Sequence, residues 1–176
     1  MNIWHDIDPN QITAEKFTAV IEIPKGSKCK YELDKYTGLL RLDRVLYTST
    51  HYPANYGFIP LTYADDNDPL DVLVLCSATI HPMTLIDVYP IGVMRMIDSG
   101  ALDDKIIAVP VSDPSYNNIQ SIDELPAHIF DEIMHFFSVY KQLENKQTAV
   151  KELYNRDDAI RIIKEAMEGY KKKFNK

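Results

Sequence analysis

The sequence has few of the residues that build the common nucleotide and metal sites. Its six glycines are never spaced as Gly-x-Gly, which excludes the phosphate cradles of Rossmann and P-loop proteins. It contains neither His-Glu-x-x-His nor Cys-x-x-Cys, so we expect no standard zinc site. It also lacks the Gly-x-Ser-x-Gly of hydrolase nucleophile elbows. Any chemistry must therefore come from other residue types.

Long apolar runs are also missing. The longest, residues 72–76, is far too short to cross a bilayer, so we predict no membrane association. The first residues lack a basic stretch followed by an apolar segment, so we expect no signal peptide. Only Cys29 and Cys76 could form a disulfide, and a chain of this size needs none. We therefore predict two reduced thiols in a cytoplasmic protein.

The composition is that of an ordinary folded domain. The chain has 176 residues, of which 45% are hydrophobic and 26% are charged, so we predict one domain spanning residues 1–176. The net charge of −7 gives no general attraction to a phosphate backbone. A nucleic-acid partner is therefore not expected.

The pattern of apolar residues changes along the chain. Alternating or β-branched segments predict strands at 17–23, 28–33, 39–47, 70–76, 86–96 and 105–109. The first two flank a turn signal at 24–27, which predicts that they form a hairpin. Helical spacing of apolar residues predicts a helix at 126–143 and a last helix capped by Asn155. Strands followed by helices favour an α+β domain with a curled sheet or small barrel.

The densest feature is the acidic segment Asp-Asp-Asn-Asp-Pro-Leu-Asp at 65–71. One interpretation is a solvated turn, because Asp, Asn and Pro all favour turns. The other is a divalent-cation site formed by Asp66, Asp68 and Asp71. The segment is not an EF-hand loop, since the sixth position from Asp66 is Asp71 rather than Gly.

A second acidic group, Asp98, Asp103 and Asp104, precedes Lys105. Converging carboxylates repel one another strongly unless cations lie among them. Aspartates without nearby thiols select hard cations such as Mg²⁺ or Mn²⁺. Other polar points of the strands and loops carry side chains that could hold an anion: Lys30, Arg44, Tyr52, Tyr56, Lys105, Tyr140 and Lys141. Each could equally be a solvated or core residue, but together they indicate metal-dependent phosphoryl transfer.

The segment Asp66-Asn67-Asp68-Pro69-Leu70-Asp71-Val72 resembles the signature of the soluble, family I inorganic pyrophosphatases, in their short prokaryotic-type form. Six further blocks match in the same order, so the resemblance covers about residues 17–143. These blocks are Val20-Ile21-Glu22-Ile23-Pro24, Lys30-Tyr31-Glu32, Asp43-Arg44, Tyr52-Pro53-Ala54-Asn55-Tyr56-Gly57, Asp98-x₄-Asp103-x-Lys105 and Tyr140-Lys141. The resemblance implies a five-stranded OB-like β-barrel flanked by C-terminal α-helices. It also implies Mg²⁺-dependent hydrolysis of pyrophosphate to two phosphates.

The resemblance further implies a role for each matching residue. Asp68 would be the general base for a water activated by metal. Lys30, Arg44 and Tyr56 would offset charge as the bond breaks. Metal ligands would be Asp66, Asp71, Asp98, Asp103 and Glu32. Substrate contacts would be Lys30, Arg44, Tyr56, Lys105, Tyr140 and Lys141. Glu22 and Tyr52 would support the cavity, and Asn55 would position the second metal's water shell.

Several points stay open at this level. Only the spacing to Lys105 selects Asp103 over Asp104. Mn²⁺ or another divalent ion could replace Mg²⁺, and the resemblance implies a homo-oligomer, most commonly a hexamer.

A phosphatase for organic phosphates is the rival enzyme. A nucleic-acid-binding barrel or a Ca²⁺-stabilised scaffold is the rival from another class, and the acidic charge disfavours the first of these.

Overall fold

The computed structural model describes residues 1–175. Within this part of the chain there are nine strands and two α-helices. The strands are β1 Phe17–Ile23, β2 Cys29–Leu33, β3 Leu40–Val45, β4 Asn55–Phe58, β5 Asp71–Val74, β6 Thr84–Asp98, β7 Ala101–Leu102, β8 Lys105–Pro110 and β9 Thr148–Asn155. The helices are α1 Ala127–Val139 and α2 Arg156–Phe174. Neither of them has the length and hydropathy that a bilayer crossing requires.

Five strands form a closed ring in the order β1-β4-β5-β8-β6, which is completed by pairing of β1 with β6. Only the β5–β8 pair in this ring is parallel. The short β7 and the longer β9 extend the sheet from β6. A closed ring leaves no unpaired edge. The predicted five-stranded barrel flanked by C-terminal helices is therefore confirmed.

The predicted hairpin of the first two strands is wrong. All seven residues of β1 are buried, and β1 pairs with β4 and β6. Strand β2 pairs instead with β3 in a separate two-stranded sheet. The amide of Gly26 donates to the carbonyl of Tyr52 at 2.8 Å, and the amide of Tyr52 donates to Ser27 at 2.9 Å. The backbone of the turn at 24–27 is thus hydrogen-bonded to the segment before β4. The chain therefore leaves the barrel after β1 and does not fold back on it.

Both helices bury apolar residues that recur at helical spacing. Helix α1 buries Phe130, Ile133, Phe136 and Phe137 in the core that surrounds β8 and the centre of β6. Helix α1 ends at Val139, earlier than predicted. The side chain of Asn155 accepts hydrogen bonds from the amides of Asp157 and Asp158, so the predicted cap of α2 is confirmed. The end of α1 consequently delivers Tyr140 and Lys141 just beyond the helix.

Gly57 lets two barrel strands approach closely. It lies in β4 opposite Ile21 of β1. A Cβ atom at this position would lie 1.8 Å from the carbonyl oxygen of Val20. Only a residue without a side chain can therefore occupy this point of the ring.

We expect Gly57→Ala to lower the free energy of unfolding by about 3 kcal/mol or more, because backbone atoms cannot move aside cheaply. Gly26→Ala is the control. A Cβ at Gly26 would meet nothing within 4 Å, although its φ of +86° is unfavourable for alanine. The control should cost only about 1 kcal/mol. Urea unfolding of both variants measures the difference, and equal losses would contradict the close packing.

Candidate active site

One cavity of about 190 Å³ gathers most of the predicted site residues. Twelve of the fifteen line it: Glu22, Lys30, Glu32, Tyr56, Asp66, Asp68, Asp71, Asp98, Asp103, Lys105, Tyr140 and Lys141. Arg44, Tyr52 and Asn55 do not. Residues from the whole span between β1 and the end of α1 therefore converge on one small volume.

The parallel pairing of β5 with β8 brings the acidic and basic segments together. Asp71 begins β5, Lys105 begins β8, and the two are direct partners in the ladder. Asp103 lies two residues before Lys105, and its amide donates to the carbonyl of Met96 at 2.9 Å. Sheet register thus places both acidic segments beside one lysine.

Lys105 lies at the centre of this cluster and is only 2% exposed. Its Nζ donates to the Tyr56 hydroxyl at 3.0 Å, to Asp71 at 2.8 Å and to both oxygens of Asp103 at 3.2 Å. Burial alone would lower the pKa of the ammonium. The charge of Asp71, followed by that of Asp103, raises that pKa well above its ordinary value. Lys105 therefore stays charged among the carboxylates.

Burial and mutual repulsion raise the pKa of two carboxylates in the cavity. Burial and the charge of Asp71 raise the pKa of Asp66 to about 6. Burial is also the main cause that raises the pKa of Asp103. An oxygen-only set of this kind suits a hard divalent cation, whose charge would relieve the repulsion. The donor chemistry therefore fits Mg²⁺.

The side chains are not arranged around a metal in their present rotamers. Among the described residues, no three acidic, histidine or cysteine side chains lie close enough to share one ion. Asp71 and Asp103 are instead held by Lys105. A bound cation would therefore compete with the lysine for the same oxygens.

The structure separates Asp103 from Asp104. Arg95 forms two hydrogen bonds with Asp104, of 2.9 Å from Nε and 2.8 Å from Nη2. Asp104 is thus committed to Arg95 and is absent from the lining of the cavity. The spacing to Lys105 selected the residue that the fold brings into the cavity.

Asn55 lies outside the lining of the cavity. It is fully buried, and its Oδ1 accepts from the amides of Lys25 at 3.0 Å and Ile80 at 2.9 Å. Its Nδ2 donates to the carbonyl of Ala78 at 3.0 Å. The amide thus ties two loops together behind the cavity wall, and its expected role toward a metal's water shell stays a prediction.

Tyr52 supports the cavity from behind rather than from within. Its ring lies edge-on to Tyr56, 5.6 Å between centroids, and 4.8 Å from that of Phe136. It is only 2% exposed. Tyr52 thus fixes the ring of Tyr56, whose hydroxyl lines the site.

Arg44 lies beside the cavity, across the β2–β3 ladder from Lys30. Its Nε is 2.8 Å from Oε1 of Glu144. Its Nη2 is buried and has no hydrogen-bond partner within residues 1–175. A buried donor without a partner is costly, so this guanidinium is suited to an arriving anion.

The other basic residues are each neutralised by a predicted metal ligand. Lys30 contacts Glu32 and lies 3.5 Å from Asp43, while Lys141 contacts Asp98. Cations and an anion entering together could take over both halves of these pairs. The cavity therefore pairs its acidic residues with its basic ones.

The comparisons with known proteins agree with this chemistry. Residues 19–171 match the family model described as inorganic pyrophosphatase. The chain belongs to the inorganic pyrophosphatase family. A soluble inorganic pyrophosphatase from Oryza sativa subsp. indica is 50% identical over 167 residues, which cover 95% of this chain and 78% of the relative. The family resemblance and the expected class of enzyme, an inorganic diphosphatase, are confirmed.

Solved structures of pyrophosphatases have the same fold. The inorganic pyrophosphatase from Thermus thermophilus superposes with a TM-score of 0.92 at 36% identity, covering 97% of this chain and 99% of that one. The enzyme from Helicobacter pylori gives 0.90 at 41% identity, with coverages of 94% and 99%. The match therefore includes the ring of strands and both helices.

Six lining residues were not predicted as site residues: Trp4, Tyr31, Leu33, Lys35, Phe58 and Pro69. Tyr31 and Pro69 lie inside matching blocks, while Leu33 and Phe58 each directly follow one. Lys35 follows the Lys30-Tyr31-Glu32 block by three residues. Trp4 lies far in sequence from every matching block. Only the fold brings the N-terminal segment to the cavity.

Glu22 provides a pH test of this environment. Its carboxylate accepts a hydrogen bond from the amide of Leu33 at 2.7 Å. Burial, with the charges of Asp71 and Glu32, raises the pKa of Glu22 to about 8. The folded state then binds a proton that the unfolded state releases above about pH 4.5. For the metal-free protein, the Glu22 contribution to the free energy of unfolding should fall as pH rises from about 5 to 8.

We expect Glu22→Gln to weaken this dependence, because glutamine keeps the acceptor for Leu33 and does not titrate. Urea unfolding in EDTA at pH 5 and pH 8 measures it in the parent and the variant. The parent should lose more stability than the variant between these two values. An identical loss in both proteins would contradict a raised pKa for Glu22.

Proposed function

We propose that the chain hydrolyses inorganic pyrophosphate to two phosphates in an Mg²⁺-dependent reaction, by direct attack of water with Asp68 as general base. The observation that carries this is the cavity in which acidic metal-ligand candidates and basic phosphate-binding candidates neutralise one another. Its lysines and tyrosines suit a ligand that carries phosphate at both ends. This disfavours the organic-phosphate phosphatase.

The carboxylates that would hold Mg²⁺ are Asp66, Asp71, Asp98, Asp103 and Glu32. When bound, Mg²⁺ would acidify water and neutralise phosphate charge. Mn²⁺ or another hard divalent ion could substitute, because the ligands are all oxygens. The raised pKa values of Asp66 and Asp103 support this assignment, since a cation would stabilise their charged forms.

The residues that would bind the two phosphates are Lys30, Arg44, Tyr56, Lys105, Tyr140 and Lys141. Burial raises the pKa of Tyr56 and of Tyr140, so both hydroxyls stay protonated and able to donate. The unpartnered Nη2 of Arg44 supports its place among them. These donors and charges would stabilise the negative charge that grows on the leaving phosphate.

Two features of Asp68 suit a base. Lys105 does not contact it, and its side chain is 53% exposed. Its backbone is nevertheless fixed. The amide of Asp68 donates to Asp66 at 3.1 Å, and the amide of Ala64 donates to the Asp68 carbonyl at 2.8 Å. Asp68 can therefore reach a water in the cavity and take its proton.

The wider setting of the enzyme remains a prediction. The resemblance implies a homo-oligomer, most commonly a hexamer. The two expected thiols predict a cytoplasmic protein, and the length predicts one domain over residues 1–176. A nucleic-acid partner is disfavoured because the cavity presents clustered carboxylates. The Ca²⁺-stabilised scaffold is disfavoured because so many lysines, Arg44 and phenols surround those carboxylates.

The proposal predicts rapid phosphate release from pyrophosphate with Mg²⁺ and none with EDTA. An organic phosphate ester, assayed alongside, should be hydrolysed far more slowly. If the ester released phosphate at an equal rate, the proposed substrate would be wrong and the enzyme would be an organic-phosphate phosphatase. No release from either, with Mg²⁺ still bound, would favour the scaffold.

Asp68→Asn should lower kcat by about 100-fold or more, because general-base catalysis contributes about 10²–10⁴. The asparagine keeps the shape of the side chain, so folding and Mg²⁺ affinity should change little. Asp65→Asn is the matched control. Asp65 belongs to the same acidic segment and does not line the cavity, so its kcat should stay near that of the parent. Normal turnover in Asp68→Asn would exclude the base role.

A further inference from the structure

Lys35 contacts the carboxylate of Asp68 inside the cavity, although the two residues belong to separate loops. Lys35 lies in the turn between β2 and β3, and Asp68 lies in the loop between β4 and β5. Their side chains are 43% and 53% exposed. Exposed ion pairs contribute little to stability, so the location of this pair is more informative than its energy.

The turn that carries Lys35 is held firmly by its own residues. One carboxylate oxygen of Asp34 accepts from the amides of Tyr36 at 3.0 Å and Thr37 at 2.9 Å. The side-chain amide of Asn2 donates to the Lys35 carbonyl at 2.9 Å. The backbone of Lys35 is therefore fixed both from within the turn and by the N-terminal segment.

The ammonium of Lys35 also rests on an aromatic ring. Its Nζ lies 5.1 Å from the centroid of Trp4, a distance typical of a cation–π contact. Trp4 is 5% exposed, and its indole N–H donates to the carbonyl of Thr62 at 2.9 Å. The ring of Phe174 packs edge-on against it at 5.4 Å. Lys35 thus rests on a ring that is itself held in place.

We propose that Lys35, supported by Trp4, is a positioning residue that holds the Asp68 carboxylate in the orientation needed to take a proton from water. The inference rests on the proposed function, because it assigns Lys35 to the base of that reaction. Lys35 acts through Asp68 and is not itself a base. A base held in one orientation reacts faster than one that samples several.

The first test is Lys35→Met, which keeps the length of the side chain and removes its charge. We expect kcat to fall about tenfold with KM nearly unchanged, since the contact is to the base. Lys35→Arg should restore most of the loss, because arginine keeps a cation within reach of Asp68. Lys28→Met is the control, since Lys28 is exposed at the start of β2 and does not line the cavity. Its kcat should equal that of the parent.

The second test combines Lys35→Met with Asp68→Asn. If Lys35 acts through Asp68, its removal should change kcat by less than about twofold once the base is absent. A loss that persists at full size in the Asp68→Asn background, or that falls mainly on KM, would overturn the proposal. Either result would instead make Lys35 a direct contact of the substrate.

A third measurement does not depend on turnover. Trp4 is the only tryptophan, so its fluorescence reports on the cation above its ring. Lys35→Met should shift the emission of the metal-free protein, whereas Lys28→Met should not. An unchanged spectrum would contradict the support by Trp4. Pyrophosphate hydrolysis by the parent distinguishes the failures: an inactive parent refutes the proposed function together with the inference, while an active parent with an unaffected Lys35→Met refutes the inference alone.

Discussion

The structure depends on one buried ammonium. Lys105 lies between Asp71 and Asp103, beneath the hydroxyl of Tyr56, and it compensates charges that could not otherwise be buried together. Its position follows from the parallel register of β5 and β8, which pairs Asp71 with Lys105. The same register therefore determines where the acidic segment enters the barrel. It also determines which carboxylates Lys105 binds and which it leaves for a metal.

The fold was predictable from sequence where an element carried a strong pattern. The bounds of β1 match the prediction at both ends, because β-branched and aromatic residues fill it and a Pro-Lys-Gly-Ser turn follows. Strand β4 was missed because it has four residues, one of them a glycine. Strand β9 was missed because its burial alternates only weakly. The predicted hairpin failed because of long-range pairing. Strands β4 and β6 occupy the two edges of β1, so β2 cannot pair with it.

The site was more predictable than the topology, because each chemical role restricts the residue type. Local blocks were enough to name Asp66, Asp71 and Lys105. Sequence separated Asp103 from Asp104 only through the spacing to Lys105, since the contact that holds Asp104 away comes from Arg95 in another strand. It also could not place Asn55, whose amide bonds three backbone groups from two other loops. Nor could it place Trp4, because only the folded chain brings residue 4 beside residue 35.

The closed ring also constrains how the protein folds. Strand β1 pairs with β6, whose residues follow more than sixty positions later, so the ring closes only through long-range contacts. Such contacts are slow to form because a large loop must be ordered first. Asp71 and Lys105 become neighbours only through the β5–β8 pair. A nascent chain therefore cannot pair Asp71 with Lys105 until β8 has been synthesised, and the wall of the cavity is complete only when Tyr140 and Lys141 have followed.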